Sequence, residues 1–515
     1  MRHSRRNALA IALAAALLTT ACSRSTVTAP ELGAQRGESA AVVASAGNAA
    51  LADLRLGDAG PLTRAASGME PAAFATADAN RDGSLSATEQ AAVFWQVWKA
   101  MTAVAPSNAP AAPAKGEDDD LQTTSAYSVP HSLQLTPTDA ELFIDAAEIL
   151  PAVYQTIQGA KKSIHMDLFL LGGAEGRKLA EVLVAKAKEG VDVKLIHDPG
   201  YGLSGVAREQ IIPVIAYLQS QGVAIKSFPI KLLDRRKGHP FANKFQIDHN
   251  KFFIVDGTTA MIGTMNLIDV GVMNHDVFVR FTGAAASELQ AIHEATWKLK
   301  GPKVPDFRRV EPPKRTVQQA AGGAMARIVK TDIDQQTTKR VLIENIKAAK
   351  KSVHLAIFEF GDMDVVAALV EAYKRGVDVR VLADKNANYG KYLDAFKNLK
   401  LYGTPNLATM NRLREAGVPV KWYVPKTDDQ ELHMKCAMFD GDRAIVGSTN
   451  FTYQAFKTFR ETSIEVVGGN VAPRLEAMFQ RDWETSAAPV TPPTFFEKCV
   501  ISAVKAMDKL NLSWW

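Results

Sequence analysis

The sequence contains very little cysteine and carries very little net charge. Cysteine occurs only at Cys22, Cys436 and Cys499 among 515 residues. Because Cys436 falls inside a predicted buried strand, where a free thiol packs as a small hydrophobic side chain, we predict no structural disulfide. The formal net charge is only +5 at pH 7, so the sequence predicts no general surface for binding polyanions.

Long apolar runs are also scarce, and the most prominent one lies near the N-terminus. Arg2, Arg5 and Arg6 precede the run ALAIALAAALL, and small residues then lead to Cys22. This order is typical of a bacterial secretory signal, and the run is too short to cross a membrane comfortably. The segment resembles a lipoprotein processing site, so we expect residues 1–22 to be a signal peptide and Cys22 to be lipidated. The protein would then be exported and anchored in the cell envelope, in the periplasm or outer membrane, or secreted after plain cleavage.

The composition is that of a folded protein with several domains. Hydrophobic residues make up 47% of the chain and charged residues 22%, which excludes disorder of the whole. The length predicts about three units, and segments rich in small residues, proline or charge mark their boundaries. We predict a flexible linker at 23–66, a short helical unit at 67–106, a linker at 107–134, a first domain at 135–300, a linker at 301–325, a second domain at 326–487 and a C-terminal helical tail at 488–515.

The two long segments repeat each other. GAKKSIHMDLFLLGG from Gly159 matches AAKKSVHLAIFEFGD from Ala348, and KAKEGVDVKLIHD ending at Asp198 matches AYKRGVDVRVLAD ending at Asp384. In each copy, apolar spacing predicts a helix, a buried strand, a second helix and a second strand. Such alternation builds an α/β layered domain. We therefore predict two pseudo-symmetric α/β domains, each a mixed β-sheet flanked by helices.

Each copy ends in one further matched segment. DHNKFFIVDGTTAMIGTMN spans 248–266 and LHMKCAMFDGDRAIVGSTN spans 432–450. Both contain HxKxxxxD, then six residues, then G[ST]xN. A random sequence matches this string with a frequency on the order of 10^-8 per starting position, so chance does not explain two copies.

Each of these motifs predicts a β-hairpin with a turn at its Asp-Gly pair. Residues two apart on a strand share a face, so each histidine projects with its lysine, and the returning strand brings the motif asparagine alongside. The candidate catalytic residues are His249, Lys251, Asn266, His433, Lys435 and Asn450. Asp256 and Asp440 occupy the turns, so we assign them a supporting role.

These side chains suit transfer of a phosphodiester. Displacing an alkoxide from phosphorus needs a nucleophile on one side and a proton donor on the other. One hairpin supplies one histidine, so two facing hairpins supply both groups. The lysines and asparagines would surround the nonbridging oxygens and stabilise the developing charge without a metal or other cofactor.

The paired motifs resemble those of the phospholipase D superfamily, over residues 135–485. The resemblance implies two phospholipase D-like domains and a phosphohistidine intermediate. It implies that His249 attacks phosphorus and that His433 protonates the leaving alcohol, although the symmetry of the two motifs leaves the reverse assignment open. Relatives carry an acidic residue after each asparagine that orients the histidines. By this resemblance, Asp276 and Glu461 are supporting residues. The G[ST]xN segments add Thr264 and Ser448 as further supporting residues.

A separate signal lies near the N-terminus, in DANRDGSLSATE at 78–89. It fits the loop of an EF-hand at every expected place, including the turn residue Gly83, and helix-like segments flank it. The predicted Ca²⁺ ligands are Asp78, Asn80, Asp82, Ser84, Ser86 and Glu89. We predict a small N-terminal helical EF-hand unit, with a structural or membrane-proximal calcium site remote from catalysis. The alternative is a polar turn that binds no metal.

We therefore predict an enzyme of phospholipase D type, a phosphodiesterase or transphosphatidylase that acts on glycerophospholipids. Its partners would be a phospholipid substrate and the membrane surface, and we expect a monomer. The flank NHDVFVRFTG resembles cardiolipin synthases, so phosphatidyl transfer of that kind is the first alternative. Because some relatives are nucleases, a periplasmic or secreted endonuclease acting on nucleic acid is the second. A noncatalytic, calcium-stabilised surface binding protein is the third, and it would tolerate His249→Ala without functional loss.

Overall fold

The computed structural model describes most of the chain between residues 37 and 509. The described residues are 37–56, 60–69, 71–103, 133–198, 207–228, 232–233, 244–245, 247–298, 323–332, 335–385, 404–457 and 459–509. The predicted signal peptide and Cys22 lie outside them. Among the described helices, none combines the length and the apolar character that crossing a membrane would require.

The N-terminal unit is helical and contains one short two-stranded sheet. Its elements are α1 (Gly37–Ala52), β1 (Leu62–Thr63), α2 (Arg64–Ser67), α3 (Pro71–Ala77), β2 (Ser84–Leu85) and α4 (Ala87–Ala103). The helix α1 differs from the flexible linker predicted for 23–66. Its small residues allow close packing, because a side chain at Gly47 would collide with the rings of Trp95 and Trp98. Tertiary packing of this kind stabilises a helix that a composition rich in small residues does not predict.

The first α/β domain is built on a seven-stranded mixed sheet. A short strand β3 (Thr136–Thr138) precedes it, and its elements follow in the order β4 (Ala140–Ile144), α5 (Asp145–Gln158), β5 (Ser163–Leu168), α6 (Gly173–Lys188), β6 (Asp192–His197), α7 (Ile212–Ser220), β7 (Ala224–Ser227), β8 (Leu232–Leu233), β9 (Lys244–Phe245), β10 (Lys251–Val255), β11 (Thr259–Gly263), β12 (Val277–Thr282) and α8 (Ala284–Lys298). The sheet order is β4-β12-β11-β10-β5-β6-β7. Strands β5, β6 and β7 run parallel, and the other pairs are antiparallel.

The second α/β domain repeats this plan on a nine-stranded sheet. Its elements are β13 (Ala324–Thr331), α9 (Thr337–Ala348), β14 (Ser352–Ile357), α10 (Met363–Lys374), β15 (Asp378–Asp384), α11 (Asn406–Glu415), β16 (Val420–Tyr423), β17 (Lys435–Phe439), β18 (Arg443–Gly447), α12 (Tyr453–Lys457), β19 (Glu461–Val467), α13 (Val471–Thr485), β20 (Ala487–Pro489) and α14 (Phe495–Lys509). The sheet order is β20-β16-β15-β14-β17-β18-β19-β13-β3. The strand β3 therefore joins the second sheet, although it lies within the 135–300 range predicted for the first domain. The predicted fold class, two α/β domains with mixed sheets flanked by helices, is confirmed.

A shared apolar core joins the two domains. Phe252 and Ile254 of β10 belong to the same buried cluster as Cys436 of β17 and Val446 of β18. The strands that carry the two sequence motifs thus pack into one core, and this places the ends of both hairpins at the boundary between the domains.

The C-terminal helix α14 packs on the second domain and on the N-terminal unit. It contributes to the same apolar cluster as residues of α4 and α11, and the Ser502 hydroxyl donates a 2.7 Å hydrogen bond to the Ala50 carbonyl of α1. Cys499 of α14 and Cys436 are both buried and free. They belong to different apolar clusters, which agrees with the prediction that no disulfide joins them.

Candidate active site between the two domains

Both motifs fold as the predicted β-hairpins. Strand β10 pairs antiparallel with β11, and β17 pairs with β18. The turns begin at Asp256 and Asp440, whose φ angles are 53° and 54°, and Gly257 and Gly441 follow with φ angles of 69° and 80°. Two successive positive φ angles are the hairpin-turn geometry that Asp-Gly pairs favour.

Asp256 and Asp440 fasten each hairpin turn to a neighbouring strand. The Asp256 carboxylate accepts hydrogen bonds of 2.6–3.0 Å from the backbone N–H groups of 161–163. Asp440 accepts bonds of 2.7–3.1 Å from those of 350–352. Burial raises the pKa of both carboxyls, but the hydrogen bonds outweigh it and lower the pKa. Each aspartate follows the last residue of its strand, whereas the motif lysine is the first residue of that strand. This distance from the histidine and lysine agrees with the predicted supporting role.

We expect Asp256→Asn to lower the free energy of unfolding by about 1 to 2 kcal/mol, because asparagine tolerates the positive φ but gives up charge-assisted hydrogen bonds. Urea denaturation followed by circular dichroism measures the change. Asp440→Asn is the matched control and should behave alike. The rate per folded molecule should stay within about twofold, and a large loss of rate at unchanged stability would instead assign the turn to the chemistry.

The histidine and lysine of each motif are buried together. His249 is 8% exposed and Lys251 1% exposed, and the second pair is similarly buried. The Lys251 Nζ donates to the His249 carbonyl oxygen at 2.8 Å, and Lys435 Nζ donates to the His433 carbonyl oxygen at 2.6 Å. Each lysine also lies over a phenylalanine ring, at 5.0 Å and 4.7 Å from the centroids of Phe169 and Phe358. The rings of His249 and His433 lie 4.6 Å and 4.9 Å from the same two phenylalanine rings, so each histidine and its lysine contact one shared side chain.

Each motif histidine is bound by a carboxylate of the other domain. His249 Nδ1 lies 2.9 Å and 3.0 Å from the two carboxylate oxygens of Glu461. His433 Nδ1 lies 3.0 Å from Asp276 Oδ1. The structure thus places both predicted acidic residues at the histidines, but in a crossed arrangement.

The hydroxyls of the G[ST]xN segments support these carboxylates. The Thr264 hydroxyl donates a 2.5 Å hydrogen bond to Asp276. The Ser448 hydroxyl donates to the carbonyl oxygen of Thr462, the residue after Glu461, at 3.2 Å, and it opposes the rise that burial causes in the pKa of Glu461. The preceding glycines are required by close packing, since a side chain at Gly263 would lie 2.2 Å from the Phe278 ring. The short segment therefore brings a hydroxyl against each crossed histidine–carboxylate pair.

Backbone hydrogen bonds also join the two domains beside the histidines. The His249 N–H donates to the Arg460 carbonyl oxygen at 3.0 Å, and the Arg460 N–H donates to the Ile247 carbonyl oxygen at 2.9 Å. In the equivalent place, the His433 N–H donates to the His275 carbonyl oxygen at 3.0 Å, and the His275 N–H donates to that of Glu431 at 2.8 Å. The two motifs therefore meet at a single interface, as the sequence analysis required.

The electrostatic surroundings of the two histidines differ. Burial lowers the pKa of His249 well below its usual value, and the charges of Lys251, Lys435 and His433 lower it further. Burial also lowers the pKa of His433 to about 4, but there Asp276 opposes the shift. Burial lowers the pKa of Lys251 to about 7 and that of Lys435 to about 8. The mutual influence of these four groups shows that they share one desolvated cluster.

The pKa values of the two carboxyl groups that contact the histidines are shifted in opposite directions. Burial raises the pKa of Glu461 well above its usual value. Burial also raises that of Asp276, but the charges of His433 and Lys435 outweigh it and lower the Asp276 pKa. The charge of Asp276 therefore favours the protonated form of His433, but burial still keeps the His433 pKa at about 4. The His249 pKa is held well below its usual value.

The motif asparagines line the cluster in different ways. Asn450 Nδ2 donates a 2.8 Å hydrogen bond to the carboxylate of Glu359. The first domain has Leu170 at the repeat position of Glu359. Within the described residues, no donor reaches the side-chain oxygen of either Asn266 or Asn450. Those two oxygens are available to accept hydrogen bonds from a bound substrate.

The predicted calcium loop lies between the helices α3 and α4. Gly83 has a φ of 83°, and its N–H donates to Asp78 at 2.9 Å. The Glu89 carboxylate accepts hydrogen bonds from the backbone N–H groups of Ala79 and Ser86, at 2.8 Å and 2.9 Å. In the portion of the chain that the structure covers, no group of three or more His, Cys, Asp or Glu side chains could hold a metal ion. The calcium site therefore stays a prediction.

Sequence reasoning missed several residues at the site. Glu359 departs from the repeat, where the first copy has Leu170, and that departure was a visible signal. Arg460 and His275 each stand one position before an acidic residue that holds a histidine. No pattern in the sequence marks them, because their contacts cross the domain boundary.

Known proteins match the chain over both domains. The family described as "Cardiolipin synthase, PLD-like domain" matches residues 153–297 and 342–483, which together make up more than half of the chain. "Probable cardiolipin synthase YwiE" of Bacillus subtilis (strain 168) is 25% identical over 404 residues, which cover 76% of this chain and 75% of that protein. "Cardiolipin synthase A" of Pseudomonas syringae pv. syringae (strain B728a) is 27% identical over 365 residues, which cover 68% and 69% of the two chains.

A solved structure shares the fold. The crystal structure of phosphatidylserine synthase from Haemophilus influenzae Rd KW20 superposes with a TM-score of 0.53 and 12% identity, and the match covers 76% of this chain and 97% of that chain. The residues that the family matches do not include the N-terminal helical unit. With two copies of the family domain and one HxKxxxxD motif in each, the chain belongs to the phospholipase D-like family of cardiolipin synthases.

Proposed function

We propose that the protein transfers phosphatidyl groups between alcohols through a phosphohistidine, as an enzyme of the cardiolipin synthase type. The observation that supports this most is the crossed pairing of His249 with Glu461 and of His433 with Asp276. It gives one site two histidines in different electrostatic surroundings. The names of the relatives favour phosphatidyl transfer of the cardiolipin synthase type, the first alternative from the sequence, over the broader prediction of a phosphodiesterase or transphosphatidylase. Water competes with alcohols for the same intermediate, so hydrolysis is a side reaction of this mechanism.

His249 is the nucleophile in this proposal. In this role its Nδ1, which lies 2.9 Å from Glu461, carries the proton and donates a hydrogen bond to that carboxyl group, and Nε2 keeps the lone pair. Nε2 attacks the phosphorus of a donor phospholipid, a P–N bond forms, and the P–O bond to the head-group alcohol breaks. His433 gives its proton to the departing oxygen, so the head group leaves as a neutral alcohol.

The second step reverses these roles for a new alcohol. His433 takes the proton of the acceptor hydroxyl as that oxygen attacks phosphorus, and the P–N bond returns its electron pair to His249. Lys251, Lys435 and the side-chain N–H groups of the motif asparagines stabilise the charge on the nonbridging oxygens. The bound phosphodiester anion raises the pKa of His433 and of both lysines, which offsets their burial. Catalysis in this family needs no cofactor.

Vesicles of phosphatidylglycerol test the proposal. Purified protein should convert them to cardiolipin and free glycerol, and an added primary alcohol should give the phosphatidyl-alcohol. Chelation should change neither yield. Phosphatidic acid as the sole product, at every alcohol concentration, would instead support a hydrolase. Nicking of plasmid DNA with intact lipid would support the endonuclease alternative.

The EF-hand-like loop is proposed to bind Ca²⁺ as a structural site. Its helix–loop–helix and the positive φ of Gly83 support this. We expect Ca²⁺ at 100 times its dissociation constant to stabilise the folded protein by about 2.7 kcal/mol, seen as a higher Tm in calorimetry. Glu89→Gln should abolish the shift, while Glu344→Gln on α9 should retain it. An unchanged Tm at millimolar Ca²⁺ would favour the turn without metal.

The protein is also proposed to be an exported lipoprotein, on the basis of the signal-like segment before Cys22. Cells grown with radiolabelled palmitate should yield labelled, processed protein in the envelope fraction. Cys22→Ser should remove the label and release the protein from the membrane. Labelling that persists in Cys22→Ser would exclude this residue as the anchor.

A further inference from the structure

His275 lies between two carboxylates that belong to different domains. Its Nδ1 is 2.7 Å from Asp145 Oδ1, at the start of α5, and its Nε2 is 2.8 Å from Asp482 Oδ2 on α13 of the second domain. The ring is 4% exposed. Both nitrogens therefore act as donors, as they do in the charged form of histidine.

The charged form is favoured by these neighbours. Burial alone would lower the pKa of His275, but the hydrogen bonds and charges of Asp145 and Asp482 outweigh it and raise the pKa to about 9. The ring of Tyr423 stacks on it at 5.6 Å. At neutral pH, His275 is thus a buried cation that forms an ion pair with one carboxylate from each domain.

The backbone of His275 is hydrogen-bonded directly to the backbone of the second motif histidine. The His433 N–H donates to the His275 carbonyl oxygen at 3.0 Å. The next residue, Asp276, donates its N–H to Asp145 Oδ1 at 3.1 Å, and its carbonyl oxygen accepts the Asp145 N–H at 2.9 Å. Asp145 adopts a positive φ of 58°, which is costly for a residue other than glycine. Asp145, His275 and Asp276 therefore form one rigid unit against His433.

Arg460 occupies the equivalent place on the other side of the site. It precedes Glu461, which holds His249, and its carbonyl oxygen accepts the His249 N–H at 3.0 Å. Its guanidinium hydrogen-bonds to Thr296 on α8 of the first domain and lies over the Phe228 ring, 5.1 Å from the centroid. On both sides, a buried cation anchored in the opposite domain precedes the carboxylate that orients a motif histidine.

We propose that His275 is a positioning residue for the general acid, and that its two ion pairs fix Asp276 in the geometry that orients His433 and favours its protonated form. This rests on the proposed function, in which His433 protonates the leaving alcohol. Loss of the ion pairs would let the Asp276 loop move, so proton donation would suffer. Attack by His249 on phosphorus would be unaffected, because Glu461 and Arg460 hold that histidine independently of His275.

The test compares two leaving groups in single-turnover release of the head group. Phosphatidylglycerol loses an alcohol that needs a proton, whereas phosphatidyl-p-nitrophenol loses a phenolate that departs without one. We expect His275→Gln to slow glycerol release about 100-fold and p-nitrophenolate release less than about 5-fold. Asp482→Asn, which keeps the pair with Asp145, should show the same selectivity with a smaller loss. Equal slowing with both substrates would overturn the proposal, since a purely structural defect affects both.

Two further variants complete the experiment. His354→Gln is the matched control, because His354 is also 4% exposed and contacts two carboxylates, Glu476 at 2.7 Å and Asp378 at 3.4 Å, away from the site. It should leave both rates within about twofold. Adding His275→Gln to Asp276→Asn should cost no more than about 3-fold further, and full additivity would contradict action through Asp276. A wild-type enzyme that releases neither head group would reject the proposed function itself.

Discussion

His249→Asn should abolish both phosphatidyl transfer and hydrolysis, with kcat lowered by at least about 10^4-fold. The asparagine side chain can still hydrogen-bond to Glu461, but its amide nitrogen has no free lone pair with which to attack phosphorus. Thin-layer chromatography of the lipid products with radiolabelled phosphatidylglycerol measures the loss. The variant should release no p-nitrophenolate from the activated substrate either, because a good leaving group does not replace a nucleophile.

The fold of His249→Asn must be shown to persist. Its far-ultraviolet circular dichroism and its Tm should match those of the wild type within the small shift expected for one buried polar replacement. His354→Asn serves as the control for removing a buried histidine remote from the site. Undiminished function in His249→Asn would support the noncatalytic binding protein among the alternatives.

Asp276→Asn and Glu461→Gln should each lower kcat roughly 10^3-fold, because each replaces the carboxyl group that orients a motif histidine by an amide. The two losses should differ in kind. Asp276→Asn should affect phosphatidylglycerol far more than phosphatidyl-p-nitrophenol, since it acts on the proton donor. Glu461→Gln should slow both substrates alike, since it acts on the nucleophile.

The crossed arrangement makes a second comparison available. Thr264→Val removes the hydroxyl that donates to Asp276, so it should share the leaving-group selectivity of Asp276→Asn with a smaller loss. Val matches the shape of threonine, which limits the cost in packing. A pattern in which Asp276→Asn slows both substrates equally would assign the nucleophile to His433 and reverse the mechanism.

The hairpins and their catalytic faces could be predicted from the sequence because they are local. The apolar runs FFIV and CAMF, the Asp-Gly turns and the two-residue spacing of His249 and Lys251 depend on neighbours in one strand pair. The role of Asp256 as a support also followed from its place at the turn. The repeat then predicted two domains of the same plan.

The contacts across the domain boundary could not be predicted in this way. Asp276 follows Asn266 by ten residues yet it binds His433, because β12 begins at the interface and faces the second motif. The anchoring of His275 by Asp482 depends on the packing of α13 against the first domain. The helix α1 was likewise missed, since tertiary contacts with Trp95 and Trp98 stabilise it rather than its own composition.

Isolation of the covalent intermediate tests the central claim most directly, that two histidines from different domains act on one phosphorus atom. His433→Asn mixed with phosphatidyl-p-nitrophenol should release one equivalent of p-nitrophenolate per site and then stop, because attack needs no acid but discharge needs a base. Mass spectrometry of peptides prepared at high pH should find the phosphatidyl group on His249. Steady turnover by His433→Asn, or a lipid adduct on any residue other than His249, would contradict the account.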